Sequence, residues 1–175
     1  MKIIRTRFFS VASPVALACL LAAVSPLAAQ DQCKVVEKVV ANAFTQIHTV
    51  PTHVYTTTKI NGQSFSSEII YAGGSVYIKM NGKWTLAGSI KDMDGMENKD
   101  PHPANSKNTC RYVKDEPVNG EMAAVYMSHS DTPKGTIDLQ LWVSKSNGRM
   151  LRQDTSTSEA VMSSRYDYNN VKAPM

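Results

Sequence analysis

Cysteine is scarce in this chain of 175 residues, with three copies at Cys19, Cys33 and Cys110, and none sits in a CxxC pair. That excludes the ligand spacing of a zinc ribbon or a dithiol redox centre. Aromatic residues make up only 7% of the sequence, and Tyr166 and Tyr168 have no cluster of basic residues beside them. A stacking platform for single-stranded nucleic acid needs both, so that class is disfavoured. No block of like charges marks a solvated tail. The four histidines, His48, His53, His102 and His129, fall in no HExxH or comparable ligand spacing, and surface or capping roles suit each better than catalysis or metal binding.

The first residues carry a different signal. Lys2, Arg5 and Arg7 precede an apolar run from Phe8 to Leu27, and Ala28 and Ala29 stand before Gln30. This is the three-part pattern of a cleaved secretory signal peptide. The expectation is therefore a leader over residues 1–29, cut after Ala29, and one mature domain over residues 30–175. A membrane anchor is the competing reading, but Pro14 and Pro26 interrupt the run and leave it short of the roughly 20 apolar residues of a span. Cys19 lies inside the run and not at its end, which argues against lipidation.

Losing the leader also changes the charge balance. Nineteen basic residues less those three leave sixteen against fifteen acidic ones, so the mature chain has no domain-wide positive field for nucleic acid. About 145 residues suit one domain with one core. Two cysteines remain, Cys33 and Cys110. In an exported protein an even pair points to a disulfide, with two buried thiols or half of a metal site as the alternatives. A bridge would tie the N-terminal element to the middle of the chain.

Secondary structure follows from periodicity. In "CKVVEKVVANAFTQIHTV", Val36, Val40, Ala43, Phe44 and Ile47 recur at steps of three and four, opposite Lys34, Glu37, Lys38 and Gln46. This predicts an amphipathic helix that needs an apolar surface, ended by Pro51. Beyond it, β-rich runs alternate with Asn61-Gly62, Gly73-Gly74, Asn81-Gly82, Asn119-Gly120 and Asn147-Gly148. Asn and Gly tolerate the positive φ of tight hairpin turns, so the pattern predicts a meander. Strands are expected over 52–60, 63–72, 75–80, 83–86, 109–115, 121–129, 136–145, 149–158 and 161–170. Between Trp84 and Cys110 alternation lapses, and Leu86, Ile90, Met93 and Met96-Glu97 suggest a helical insertion with a loop at Asp100-Pro101-His102-Pro103.

Alternation also assigns faces. Ile137, Leu139, Leu141 and Val143 share one side of their strand, while Thr136, Asp138, Gln140 and Trp142 share the other. The expectation is an α+β domain, a sheet with one dry and one mostly wet side and the N-terminal helix covering the dry one.

Three motifs suggest chemistry and fail on inspection. Ser128, His129 and Asp131 in "SHSD" cannot converge as a triad, because neighbouring strand residues point to opposite faces. Asp92, Asp94, Gly95 and Glu97 resemble part of a calcium loop, but Ile90 and Pro101 stand where the two anchoring carboxylates belong. Gly73-Gly74 precedes a strand and not a helix, so it is no phosphate cradle. No enzyme is expected, and no cofactor or metal.

The order of elements carries a resemblance. An exported chain with an N-terminal helix, an up-and-down sheet, an insertion after "GKWTLAG", the runs "VNGEMAAVY" and "LQLWVSKSNGRMLR", and a closing "YDYNNVKAP" resembles the LolA-like superfamily of periplasmic lipoprotein carriers and lipid-binding relatives. The resemblance covers the mature chain. It implies a curved antiparallel half-barrel with the N-terminal helix and the helical insertion across its concave face, and an apolar cavity between them. The family's functional arginine and its protruding apolar transfer loop have no clear counterpart and are not carried over. The candidate ligand-lining side chains are Phe65, Ile69, Ile137, Leu139 and Leu141 from the sheet and Val36, Val40 and Phe44 from the helix; the bland reading is that the two sets pack on each other. The functions expected are an exported carrier for a lipid, acylated lipoprotein or other apolar ligand, with the insertion as its lid, or a protein-binding module with an envelope partner on the same scaffold. The expected location is the periplasm, with full secretion as the other destination.

Overall fold

A computed structural model describes residues 26–92 and 107–174. The chain opens with helix α1, Pro26–Thr49, and continues as nine strands: β1 Thr52–Ile60, β2 Gln63–Ala72, β3 Ser75–Met80, β4 Lys83–Ser89, β5 Lys107–Val118, β6 Glu121–Thr132, β7 Gly135–Ser144, β8 Met150–Thr157 and β9 Ala160–Asp167. α1 begins seven residues before Cys33, where the amphipathic pattern sets in. Val50 N–H donates the final helix-type bond to Gln46 O at 2.9 Å, and Pro51, which has no N–H, ends the helix.

All neighbouring strands are antiparallel and form one open sheet in the order β4-β3-β2-β1-β9-β8-β7-β6-β5. Four of the five turn dipeptides close two-residue hairpins in which both residues have positive φ: 50° and 78° at Asn61-Gly62, 60° and 77° at Gly73-Gly74, 50° and 77° at Asn81-Gly82, and 51° and 85° at Asn119-Gly120. These are the type I′ turns whose twist matches that of paired strands. Asn147-Gly148 differs. Only Gly148 has positive φ, at 73°, and it sits in a longer β7–β8 loop closed by Ser144 N to Arg149 O at 2.8 Å.

The sheet is therefore two meanders, β1–β4 and β5–β9, joined along the β1/β9 seam. That seam runs in unbroken register from His53 opposite Asp167 to Ile60 opposite Ala160. The fold is the expected open antiparallel sheet with an N-terminal helix.

Two expectations need correction, and a third lies mostly outside the described residues. β4 continues to Ser89, so Leu86 is a strand residue and 61% exposed, not part of a helical turn. The helical turn starts at residue 90, where Ser89 and Asp92 cap it reciprocally: Ser89 Oγ donates to Asp92 Oδ2 at 2.6 Å and Asp92 N donates back to Ser89 Oγ at 3.2 Å. Met93, Asp94, Gly95, Met96, Glu97 and the Asp100–Pro103 loop lie outside the described residues, and with them most of the expected lid and of the calcium-like run. The other correction concerns Trp142, expected on a wet face. It is 4% exposed and belongs to a second, small cluster on the outer side of the sheet with Ala123, Val125 and Leu151. Its indole N–H donates to Glu116, and the Arg152 guanidinium lies 4.5 Å from the ring centroid. Long polar side chains cover this cluster with their stems, where the inner one is covered by a helix.

The main core lies between α1 and the sheet. Cys33, Val36, Ala43 and Ile47 meet Val54, Cys110, Leu141, Val143, Met150 and Tyr166. Burying a side chain such as Leu141, which is 1% exposed, stabilises the fold by roughly 1.5–3 kcal/mol.

Candidate functional site

α1 is fastened at both ends. Near its start, Cys33 and Cys110 form a disulfide with an S–S distance of 2.04 Å and Cα atoms 4.8 Å apart, which holds the helix to β5. Near its end, Gln46 Nε2 donates to Asn147 O in the β7–β8 loop at 2.9 Å. The thirteen-residue step from Cys33 to Gln46 spans about 20 Å of helix.

Under this span lies a cavity of about 620 Å³. Helix residues Val36, Glu37, Val40, Ala41 and Phe44 form its roof, a set that recurs at three-, four- and five-residue steps and so occupies one stripe. Asn108 and Cys110 of β5, Ser128 of β6, Leu139 and Leu141 of β7, and Gln153 of β8 form its floor and walls. Each sheet residue is on the helix-facing side because register demands it: Cys110 pairs with Ser128, Ser128 with Leu139, and Leu141 with Gln153. The polar groups are Glu37, Asn108, Ser128 and Gln153; the rest of the lining is apolar. A volume in the ~300–1,000 Å³ range with apolar walls and a few polar groups is that of a small-ligand site.

Of the eight side chains named from the sequence as lining, Val36, Val40, Phe44, Leu139 and Leu141 border this cavity. Ile69 packs against the main core instead. Phe65 and Ile137 are 53% and 38% exposed. Both lie toward the far ends of their strands, opposite Thr58 and Thr157, beyond the part of the sheet that α1 covers. Alternation reports which face a residue is on, but not how far along the strand the covering helix reaches. Glu37, placed by the sequence on the opposite, polar side of the helix, also borders the cavity; Ala41, Asn108, Ser128 and Gln153 were missed because small and polar residues give no apolar signal, although the pairing of Ser128 with Leu139 would have placed Ser128 once the register was known.

His53, His129 and their acidic partners face elsewhere. His129 lies on the outer face, its Nδ1 2.7 Å from Asp138 Oδ1 and its Nε2 3.3 Å from Asp131 Oδ1, and Asp138 holds its pKa above the ordinary histidine value. Ser128 points to the cavity side, where Cys110 is its neighbour. The "SHSD" run is thus split between two faces, as its spacing required. His53 stacks on Tyr55 at 4.0 Å and meets Glu68 at 3.0 Å, and Lys79 meets the same carboxylate at 2.8 Å; hydrogen bonding from Lys79 holds the Glu68 pKa down. Among the described residues no group of three His, Cys, Asp or Glu could hold a metal ion. No helix among them is long and apolar enough to cross a membrane.

No sequence-family model matches the chain, and no characterised protein matches it by sequence. Solved structures do match by shape. Lipoprotein LppX of Mycobacterium tuberculosis superposes with a TM-score of 0.53 at 9% identity, over 81% of this chain and 99% of its own. MucB in complex with MucA(peri) gives 0.49 at 13% identity, over 78% of this chain and 57% of its own. LprF of Mycobacterium bovis gives 0.44 at 8% identity over 81% and 97%. At such identities the likeness is one of fold.

Proposed function

We propose that this LolA-like domain is an exported, non-catalytic carrier or binding protein for a lipid, an acylated lipoprotein or another apolar ligand of the cell envelope. The observation that carries the reading is the apolar cavity of about 620 Å³ beneath a helix fastened at both ends. Its capacity sets the ligand scale. At roughly 30 Å³ per water-sized unit, with a methylene of the same order, it takes on the order of 20 units, enough for one long acyl chain. Each methylene moved from water would contribute about 0.8 kcal/mol. A disulfide suits an oxidising compartment, and cleavage of the leader after Ala29 would leave α1 intact from Gln30 onward.

The test is native mass spectrometry of the mature protein from its own envelope, followed by organic extraction and lipid analysis, with titration of an environment-sensitive fluorescent fatty acid. The expected result is a near-stoichiometric acyl species and saturable probe binding, weakened at least tenfold by Val40→Trp, which fills the cavity. An apo mass together with probe binding that never saturates would overturn the carrier reading.

A second reading, a protein-binding module, has its own support in the open sheet. The edge strands β4 and β5 carry the exposed apolar residues Leu86, Tyr112 and Val113, and an open edge can pair with an extended segment of a partner. Capture of an envelope protein that Tyr112→Lys abolishes, by a protein that binds no fatty acid, would favour it.

A further inference from the structure

Away from the acyl-sized cavity, at the end of the sheet where the β5–β6 turn, the β7–β8 loop and the end of β9 meet, lies a polar recess of about 340 Å³. Arg149 and Arg165 both line it. Each guanidinium is laid against an aromatic ring: Arg149 Cζ is 5.1 Å from the Tyr168 ring centroid and Arg165 Cζ is 4.8 Å from that of Tyr55. Tyr168 is itself fixed by its hydroxyl, which donates to Met150 O at 2.8 Å. Stacking takes up the faces of the two forks and leaves their N–H edges for in-plane partners.

Among the described residues those edges have no acidic partner within ion-pair distance, and the buried Nε of Arg149 has no hydrogen-bond partner. Two carboxylates do border the recess, and after hydrogen bonds from Ser144 and Ser146 the Arg149 charge also helps to hold the Glu121 pKa down, but the hydrogen bonds each accepts come from the turns beside it. Glu121 Oε1 accepts from Ser144, from Ser146 at 2.6 Å and from Asn147 Nδ2 at 3.2 Å. Asp167 Oδ1 accepts from Asn169 N at 2.9 Å and Asn169 Nδ2 at 3.2 Å. A buried donor without a partner is costly and rare in a finished fold. A guanidinium fork meets planar oxyanions through paired N–H groups.

We propose that this recess is a second ligand site, one that receives the oxyanion group, carboxylate or phosphate, of a small polar molecule between Arg149 and Arg165. The proposal does not depend on what the apolar cavity holds. It is tested on the full mature chain by following the arginine Nε–Hε resonances in nuclear magnetic resonance while adding inorganic phosphate or acetate, against chloride at equal ionic strength. The Arg149 and Arg165 signals shift and saturate with one of the two oxyanions and not with chloride. The oxyanion that saturates at the lower concentration identifies the group. Arg149→Gln and Arg165→Gln each raise the half-saturating concentration at least tenfold. Arg149→Lys, which keeps the charge and loses the fork, separates planar recognition from simple attraction and guards against a glutamine variant that fails to fold. Shifts that grow linearly without saturating, or that chloride reproduces, overturn the proposal. So does an unaltered titration in folded Arg149→Gln.

Discussion

Replacing both halves of the disulfide, Cys33→Ala with Cys110→Ala, tests the anchoring of α1 directly. Alanine is the substitute of choice because the two cysteines are 7% and 8% exposed, and serine would bury a hydroxyl. The bridge closes a loop with a sequence separation of 77. In the chain-entropy treatment such a loop contributes about 4.5 kcal/mol by restricting the unfolded chain. For a domain of this size, at ~2–4 °C per kcal/mol, the melting temperature should fall by about 9–18 °C. The loss also has a local signature. With the bridge gone, α1 is still held by its apolar stripe, the Gln46–Asn147 hydrogen bond and the His48–Tyr71 ring contact. Amides from Val36 to Val40 should exchange faster by more than the global change accounts for, while those of the β1/β9 seam follow global unfolding. Thermal melts by circular dichroism and hydrogen exchange by mass spectrometry read the two effects. A fall of under 3 °C with unaltered exchange in α1 would refute the idea that the bridge holds the helix down.

Three further outcomes are expected. Leu141→Ala, at a position 1% exposed under α1, should cost about 2–5 kcal/mol in urea unfolding, whereas Phe65→Ala, at a position 53% exposed, should stay within about 0.5 kcal/mol. Equal costs at the two sites would contradict the placement of the helix. Hydrogen bonds from Ser144 and Ser146 hold the Glu121 pKa below its ordinary value of 4.5, so its contribution is present above that value and is lost as pH falls through the depressed one. Glu121→Gln should flatten the acid limb of stability below pH 4.5, as measured by urea midpoints at successively lower pH. His129 has the opposite sign: its pKa is raised by Asp138, so its contribution is present below 6.5 and lost as pH rises through the raised value, and Asp138→Asn should return the histidine titration, followed by nuclear magnetic resonance, toward 6.5.

Much of this architecture was legible in the residues, for a definite reason. Asn-Gly pairs state a turn type and not merely a break, so Asn61-Gly62, Asn81-Gly82 and Asn119-Gly120 fixed hairpins and, with them, local strand order. The α1 stripe was equally readable, because Val36, Ala43 and Ile47 recur with helical period and are 4%, 0% and 3% exposed. Long-range features left no such mark. Nothing near Thr52–Ile60 states that its second neighbour is Ala160–Asp167, more than a hundred residues on. The outer cluster around Trp142 was hidden because its cover consists of Glu116 and Arg152, residues that by type belong in water. The candidate lining was half visible: its apolar members stood out, while Asn108, Ser128 and Gln153 depend on register, and the two-arginine recess depends on three turns meeting in space.

The β1/β9 seam has a consequence for how the chain reaches its final state. Of the nine described strands, β1 is the first to emerge during synthesis and β9 the last. Until β9 arrives, β1 has β2 on one side and an unpaired row of backbone donors and acceptors on the other. Every nascent copy thus passes through a stage in which the future centre of its sheet is an exposed edge, open to pairing with a neighbouring molecule. The interval lasts for the whole passage of β2 to β8. Its length is set by the speed of delivery and not by the stability of the finished fold, so an escorting chaperone would act here on a waiting strand.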